Sequence, residues 1–315
     1  MPVTPRDYAK KFHELEVLIY TDKQAEEAKN GALPAGSAWQ TVNLMQYLLW
    51  DFTKTLKAQH EKNLAEFKDK VRPHIDQKGE KITVWVKTTA GDVVSKTYSS
   101  RGEIAENIND PFYGKGNPEE VQIVLQLAVR YGLIKAENLQ TYCDNKLGLD
   151  CTGFVGNYLR HVVQNKPWDT DFHAAKGKKT EIDANSMIEL IMSFQGSTEP
   201  VTTMEGIKLN KASSFLLALS NDHARVSDHI SNGDGTSSVG HIVISEPSSL
   251  TTTPSFKLGK KEFKDVLTLT VLESTGGKGL VESPYLIVDV NKFGAFTVHR
   301  GSKGTDVTMK IVRLL

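Results

Sequence analysis

The sequence predicts an α+β fold, with helices first and an antiparallel sheet last. Apolar residues recur at helical spacing through much of the first half, and from His241 onward they alternate at the period of a strand, segment after segment. Strands and helices do not take turns along the chain, as a parallel α/β sheet would require.

The first 75 or so residues read as helical. From Trp39 the positions Val42, Met45, Leu48, Leu49, Phe52 and Leu56 keep helical spacing, while Lys54, Lys57, Lys62 and Lys68 alternate with Glu61, Glu66 and Asp69 on the opposite face. Gly31, Pro34 and Gly36 mark the loop before this helix and Pro73 its end. Residues 81–99 change period: Ile82, Val84 and Val86 alternate with polar residues, Ala90-Gly91-Asp92 turns, and Val93–Tyr98 returns as the second arm of a hairpin. Asn117-Pro118-Glu119-Glu120 opens a helix, with proline at its first position and acids in its first turn. Val121, Val124, Leu125, Leu127, Ala128 and Val129 form its buried side, and Gly132 ends it. Another helix is expected from Cys151 to about Gln164. Residues 165–237 predict a helix over Asn185–Phe194, a strand over Ser214–Leu219 and a loop over Ser231–Ser238. Strands then follow at His241–Ser245, Val266–Leu272, Tyr285–Val290, Ala295–His299 and Val307–Leu314.

The chain has 315 residues, which at roughly 150 residues per domain suggests about two: a mostly helical 1–110 with a hairpin near 81–99, and a 111–315 that holds the later helices and the antiparallel strands. Lys+Arg and Asp+Glu both number 38, and this neutrality argues against a general nucleic-acid binder. Two cysteines, Cys143 and Cys151, exclude a disulfide framework and a four-cysteine zinc site within the chain. The apolar runs fall short of the roughly 20 residues that cross a bilayer, so no membrane span is expected. The opening MPVTPRDYAKKFHELEVLIY lacks the layout of a secretory leader. The expectation is a chain made in the cytoplasm that reaches any outside target by a specialised route.

The informative segment is Gly148-Leu149-Asp150-Cys151-Thr152-Gly153-Phe154-Val155. Asp150 is a candidate N-cap, ahead of the periodic run Phe154, Val155, Tyr158, Leu159 and Val162. Cys151 then falls in the first helical turn, where backbone N–H groups and the helix dipole favour a thiolate. Gly153 would leave room for a substrate backbone or a neighbouring strand. A thiolate needs a base, and nine histidines are available. His13, His60 and His74 sit in polar amino-terminal segments, His173 in a lysine-rich stretch, and His161 nearly three turns beyond Cys151. His223 and His229, near Asp222 and Asp228, match no standard metal spacing. His241 differs, because it starts the apolar run Ile242-Val243-Ile244 on a rigid strand. No metal or cofactor is expected.

LDCTGFV resembles the nucleophile motif of the NlpC-type cell-wall cysteine peptidases, and VGHIVIS resembles their histidine strand. The resemblance covers about Tyr142 to Val298. It implies a papain-like core, a nucleophile helix packed on an antiparallel sheet, carrying a helical N-terminal extension and a long insertion at about 165–237. Ninety positions separate Cys151 from His241. It also implies Cys151 as nucleophile, His241 as general base and Glu273, after the apolar run Leu269–Leu272, as the residue orienting the imidazole, with Asp289 in reserve. Asp150, Thr152 and Gly153 would border the oxyanion. The family's upstream tyrosine matches Tyr142, or Tyr113 in Phe112-Tyr113-Gly114-Lys115-Gly116. The implied substrate is the stem peptide of bacterial peptidoglycan, and the implied partner of such an antibacterial effector is an immunity protein. A papain-like deamidase, transglutaminase or acyltransferase, or a non-catalytic binding protein on the same scaffold, stands as the alternative.

Overall fold

The computed structural model describes residues 3–28, 31–47, 54–75, 81–99, 101–162, 187–192, 198–227, 229–231, 237–258, 261–276, 278–301 and 304–315. The chain forms two compact units that interleave in sequence. One comprises Asp7–Asn157 and Ser274–Leu280; the other comprises Met1–Arg6, Tyr158–Glu273 and Val281–Leu315. Residues on both sides of position 110 therefore belong to the same unit.

The first unit mixes helices with two small sheets. In order come α1 (Pro5–His13), β1 (Leu15–Ile19), α2 (Asp22–Glu27), β2 (Ala38–Val42), α3 (Lys54–Ile75), β3 (Ile82–Lys87), β4 (Val93–Tyr98), α4 (Arg101–Ile108), α5 (Pro118–Arg130), α6 (Leu139–Lys146) and the start of α7 (Cys151–Val162). The expected helix does not start at Trp39. Ala38–Val42 is a strand paired antiparallel with β1, Leu15 opposite Val42 and Ile19 opposite Ala38. Aromatic and β-branched residues at 39, 41 and 42 suit the pleat, and Leu15 and Val17 bury one face of β1. Helix α3, Lys54–Ile75, supplies the later part of that expectation, and Pro73 lies inside its last turn instead of ending it. Leu48, Leu49 and Phe52 lie outside the described residues.

The hairpin over 81–99 is present, with Ile82 opposite Tyr98 and Lys87 opposite Val93. Helix α5 is the unit's axis. Asn117 Oδ1 accepts from the Glu120 N–H at 2.9 Å, and the Glu120 carboxylate accepts from the Asn117 N–H at 2.8 Å, a reciprocal capping box. Three polar positions of α5, Glu120, Gln122 and Gln126, are buried too. Gln126 accepts from Trp85 N–H (3.3 Å) and donates to Trp85 C=O (2.6 Å). Gln122 does the same with Lys87, at 2.7 and 2.9 Å. Two side-chain amides one helical turn apart thus stand in for the missing neighbour of β3 and satisfy its edge.

The second unit is built on a closed six-stranded ring. Its strands are β6 (Phe215–Leu219), β9 (Ile242–Ser245), β11 (Lys261–Thr275), β12 (Gly279–Val290), β13 (Phe296–Arg300) and β14 (Thr305–Leu314). They run β11-β12-β13-β14-β6-β9, and β9 returns to β11, with Val271 opposite Ser245. β5 (Thr198–Val201) adds to β14 and β10 (Thr251–Leu258) adds to β11; neither strand was expected. The ends of the expected loop Ser231–Ser238 pair instead as the hairpin β7 (His229–Ser231) and β8 (Ser237–Val239). The barrel is filled by alternate residues of its strands, among them Phe215, Leu217, Val243, Leu267, Leu269, Val271, Tyr285, Ile287, Phe296, Val298, Met309 and Ile311. Short helices lie at Met187–Met192 and Met204–Leu209. The expected insertion at 165–237 lies partly outside the described residues. No described helix is long and apolar enough to cross a membrane.

Candidate functional site

The candidate residues fall into two clusters, one in each unit. In the first, Asp150 caps α7: its Oδ1 accepts from the Gly153 N–H at 2.6 Å and from the Thr152 hydroxyl at 3.0 Å. Cys151 is the first residue of the helix, 4% exposed. The cap is itself held. Lys115 Nζ donates to Asp150 Oδ2 and to Thr152 Oγ1. The Asp150 N–H donates to the Gly114 carbonyl (3.0 Å), and Asn157 Nδ2 donates to the Lys115 carbonyl (2.7 Å). On the other side Ser274 Oγ donates to the Leu149 carbonyl at 2.6 Å. The loop Gly114–Gly116 is therefore laid along the first two turns of the helix.

This contact explains Gly153. A Cβ there would sit 1.9 Å from the Gly114 carbonyl oxygen. The room that glycine leaves is filled by the chain's own backbone, not kept for a substrate. It also separates the two tyrosines. Tyr113 leads directly into this loop, where Gly114 has a φ of +72°, whereas Tyr142 lies buried in α6 with its hydroxyl pushed up by burial and then by Glu66. Neither Cys143 nor Cys151 forms a disulfide. Cys143 is fully buried, and burial pushes its thiol up to about 12, which makes it a packing residue.

The second cluster closes one end of the barrel interior. His241 is 7% exposed and Glu273 is 0% exposed. His241 Nε2 lies 3.2 Å from Glu273 Oε2. The Leu219 N–H donates to the His241 carbonyl at 2.9 Å and fixes the imidazole's backbone. Glu273 continues the inward row Leu267, Leu269, Val271, and His241 precedes inward Val243 by two residues.

Sequence reasoning missed two members. Tyr285 donates its hydroxyl to Glu273 Oε2 at 2.8 Å, and Arg300 Nη2 donates to the same oxygen at 3.0 Å. Arg300 Nε also donates to the Tyr285 oxygen at 2.8 Å. The buried carboxylate is thus paired and hydrogen-bonded, as a charge in that position must be. Burial holds the Tyr285 hydroxyl far above the ordinary phenol range, with Arg300 opposing and Glu273 reinforcing. No local motif marks Arg300; Phe296-x-Val298-x-Arg300 points to it only once that row is seen to face inward.

Asp289 is not brought to the imidazole. It is exposed on β12, and its carboxylate accepts from the Val290 N–H at 2.9 Å. His13 Nε2 pairs with the Leu280 carbonyl at 3.0 Å, His74 stacks on Tyr131 at 4.0 Å, and His223 packs on Phe293 at 4.4 Å. His173 and Asp228 lie outside the described residues. Among the described residues, no cluster of His, Cys, Asp and Glu is placed to hold a metal ion. Comparison with protein-family models, with curated proteins and with solved structures finds no match to this chain.

Proposed function

We propose that the protein is a thiol-dependent amide hydrolase in which Cys151 is the nucleophile, His241 the general base and Glu273 the orienting carboxylate. The observation that carries the reading is the 3.2 Å contact between a buried imidazole and a fully buried carboxylate. Such a pair fixes the ring and stabilises the imidazolium that forms during turnover. With Nε2 on Glu273, Nδ1 is the nitrogen that exchanges a proton with the thiol. Cys151 at the start of a capped helix supports the other half, because the helix dipole favours the thiolate.

The chemistry follows. His241 takes the Cys151 proton, and the sulfur attacks the amide carbonyl. Backbone N–H groups at the start of α7, that of Cys151 included, stabilise the oxyanion. The imidazolium protonates the leaving amine, and a water deprotonated by His241 hydrolyses the thioester and restores the thiol. The wall stem peptide as substrate, export to the periplasm, an immunity partner and a papain-like core rest on the resemblance of LDCTGFV and VGHIVIS to the NlpC-type peptidases.

The test is a digest of purified peptidoglycan by the parent protein, Cys151→Ala and His241→Ala, read by mass spectrometry of the released muropeptides. Fragments from the parent alone establish the thiol mechanism, and their masses name the bond. Without fragments, iodoacetamide labelling decides: labelling of Cys151 near pH 6 that is lost in His241→Ala means a thiol enzyme for another amide, and slow labelling in both overturns the enzymatic reading.

A further inference from the structure

Within the triad reading Arg300 has no task, yet the fold spends a buried cation on it. Its side chain is 7% exposed and meets Glu273 Oε2 at 3.0 Å. Through Nε it also holds the Tyr285 oxygen at 2.8 Å, and that hydroxyl in turn donates to Glu273. Arg300, Tyr285 and Glu273 form a closed hydrogen-bonded ring, and the bonds from Tyr285 and Arg300 converge on the carboxylate oxygen that faces His241.

We propose that Arg300 is a positioning residue that cancels the charge of Glu273 and, with Tyr285, locks the carboxylate against His241, so that the imidazole is oriented without being held protonated. A lone buried carboxylate beside an imidazole does two things at once: it fixes the ring, and it stabilises the imidazolium, which cannot act as a base. A guanidinium on the same oxygen separates these effects. The pair Glu273–Arg300 is neutral, so the ring keeps its hydrogen bond while the pull toward protonation is reduced. Among the described residues, the charged and titratable groups on the inward rows of the barrel at this end are Glu273 from β11, Tyr285 from β12 and Arg300 from β13; β6 and β14 contribute the apolar Leu219 and Val307. Burial keeps Tyr285 neutral, so among these described residues the charge beside the imidazole is carried by Glu273 and Arg300.

This inference rests on His241 being the base, but its first readout does not need activity. The His241 imidazole is titrated by NMR in the full-length Cys151→Ala protein, in which no thiolate contributes. Arg300→Met should raise the midpoint by at least about one unit, the size of effect one adjacent charge exerts. Arg300→Lys, which keeps the charge, should stay near the parent. If Arg300→Met does not fold, Glu273→Gln is compared with Glu273→Gln/Arg300→Met, which leaves no buried carboxylate uncompensated; the double variant should then titrate about one unit higher than the single. Equal midpoints within either comparison overturn the proposal. In an assay with substrate, the acidic limb of the rate profile of Arg300→Met should move to higher pH by the same amount. A titration shift together with slow iodoacetamide labelling of Cys151 in the parent protein would uphold Arg300 and overturn the hydrolase reading, and the two failures stay distinguishable.

Discussion

The carbonyl oxygen of Gly114 lies 1.9 Å from the point where residue 153 would carry a Cβ. Backbone meets backbone there, so neither side has a rotamer with which to yield. Gly153→Ala is expected to destabilise the protein by about 2 kcal/mol, typical of forced overpacking, and to displace the loop that Lys115 ties to Asp150 and Thr152. Urea denaturation measures the first effect; an unchanged midpoint would remove the tight loop–helix contact from the account.

Glu273 and Asp289 should respond in opposite ways. Glu273→Ala leaves Arg300 buried without its anion, and breaking such a pair costs about 3–5 kcal/mol. Asp289→Ala removes an exposed carboxylate and should stay within about 0.5 kcal/mol of the parent. Equal losses in chemical denaturation would contradict the assignment of Glu273, not Asp289, to the buried cluster.

The two glutamines of α5 predict a local effect in β3. Gln126→Ala strands both the N–H and the C=O of Trp85, and orphaned buried polar groups cost about 1–3 kcal/mol each. Hydrogen exchange should accelerate at the Trp85 amide first, and at the Lys87 amide in Gln122→Ala. Uniform acceleration across β3 and β4 in either variant would mean that the hairpin stands without the helix.

Cys143 predicts an alkaline slope. Its thiol is raised from 9.0 to about 12 in the fold, chiefly by burial. The unfolded chain therefore loses this proton first as pH rises. The stability tied to the buried neutral thiol is complete below pH 9 and is lost between 9 and 12, at up to about 1.4 kcal/mol per pH unit. Tyr98, raised from 10.0 to about 12, adds to the same limb. Denaturation curves from pH 8 to 11 should decline less steeply for Cys143→Ala than for the parent; parallel declines would show that Cys143 does not titrate as a buried thiol.

Elements with local punctuation were legible. The capping box of Asn117 and Glu120 is written in four residues, Asp150 ahead of Cys151 in two, and the hairpin over 81–99 in its alternation and turn. Helical spacing misled from Trp39, because Ala38–Val42 answers to β1, more than twenty positions earlier, and single-sequence periodicity contains no term for that partner. β10 was missed for a related reason: Thr251-Thr252-Thr253-Pro254 lacks apolar alternation, and the strand exists by pairing with β11. At the candidate site, His241 and Glu273 could be picked from the sequence as members of one motif, but Arg300 could not. What identifies it is the inward row it ends, opposite Tyr285 in register.

The ring of six strands has a temporal consequence. β14 lies between β13 and β6, and β6 joins β9, which closes the circle on β11. A nascent chain that has emerged only through β13 still has a gap where residues 305–314 belong. His241, Glu273 and Arg300 have by then all been translated, but the wall that encloses them has not. This polar cluster is sealed from water only when β14 threads between two partners already synthesised, so enclosure of the candidate base awaits the ribosome's delivery of β14.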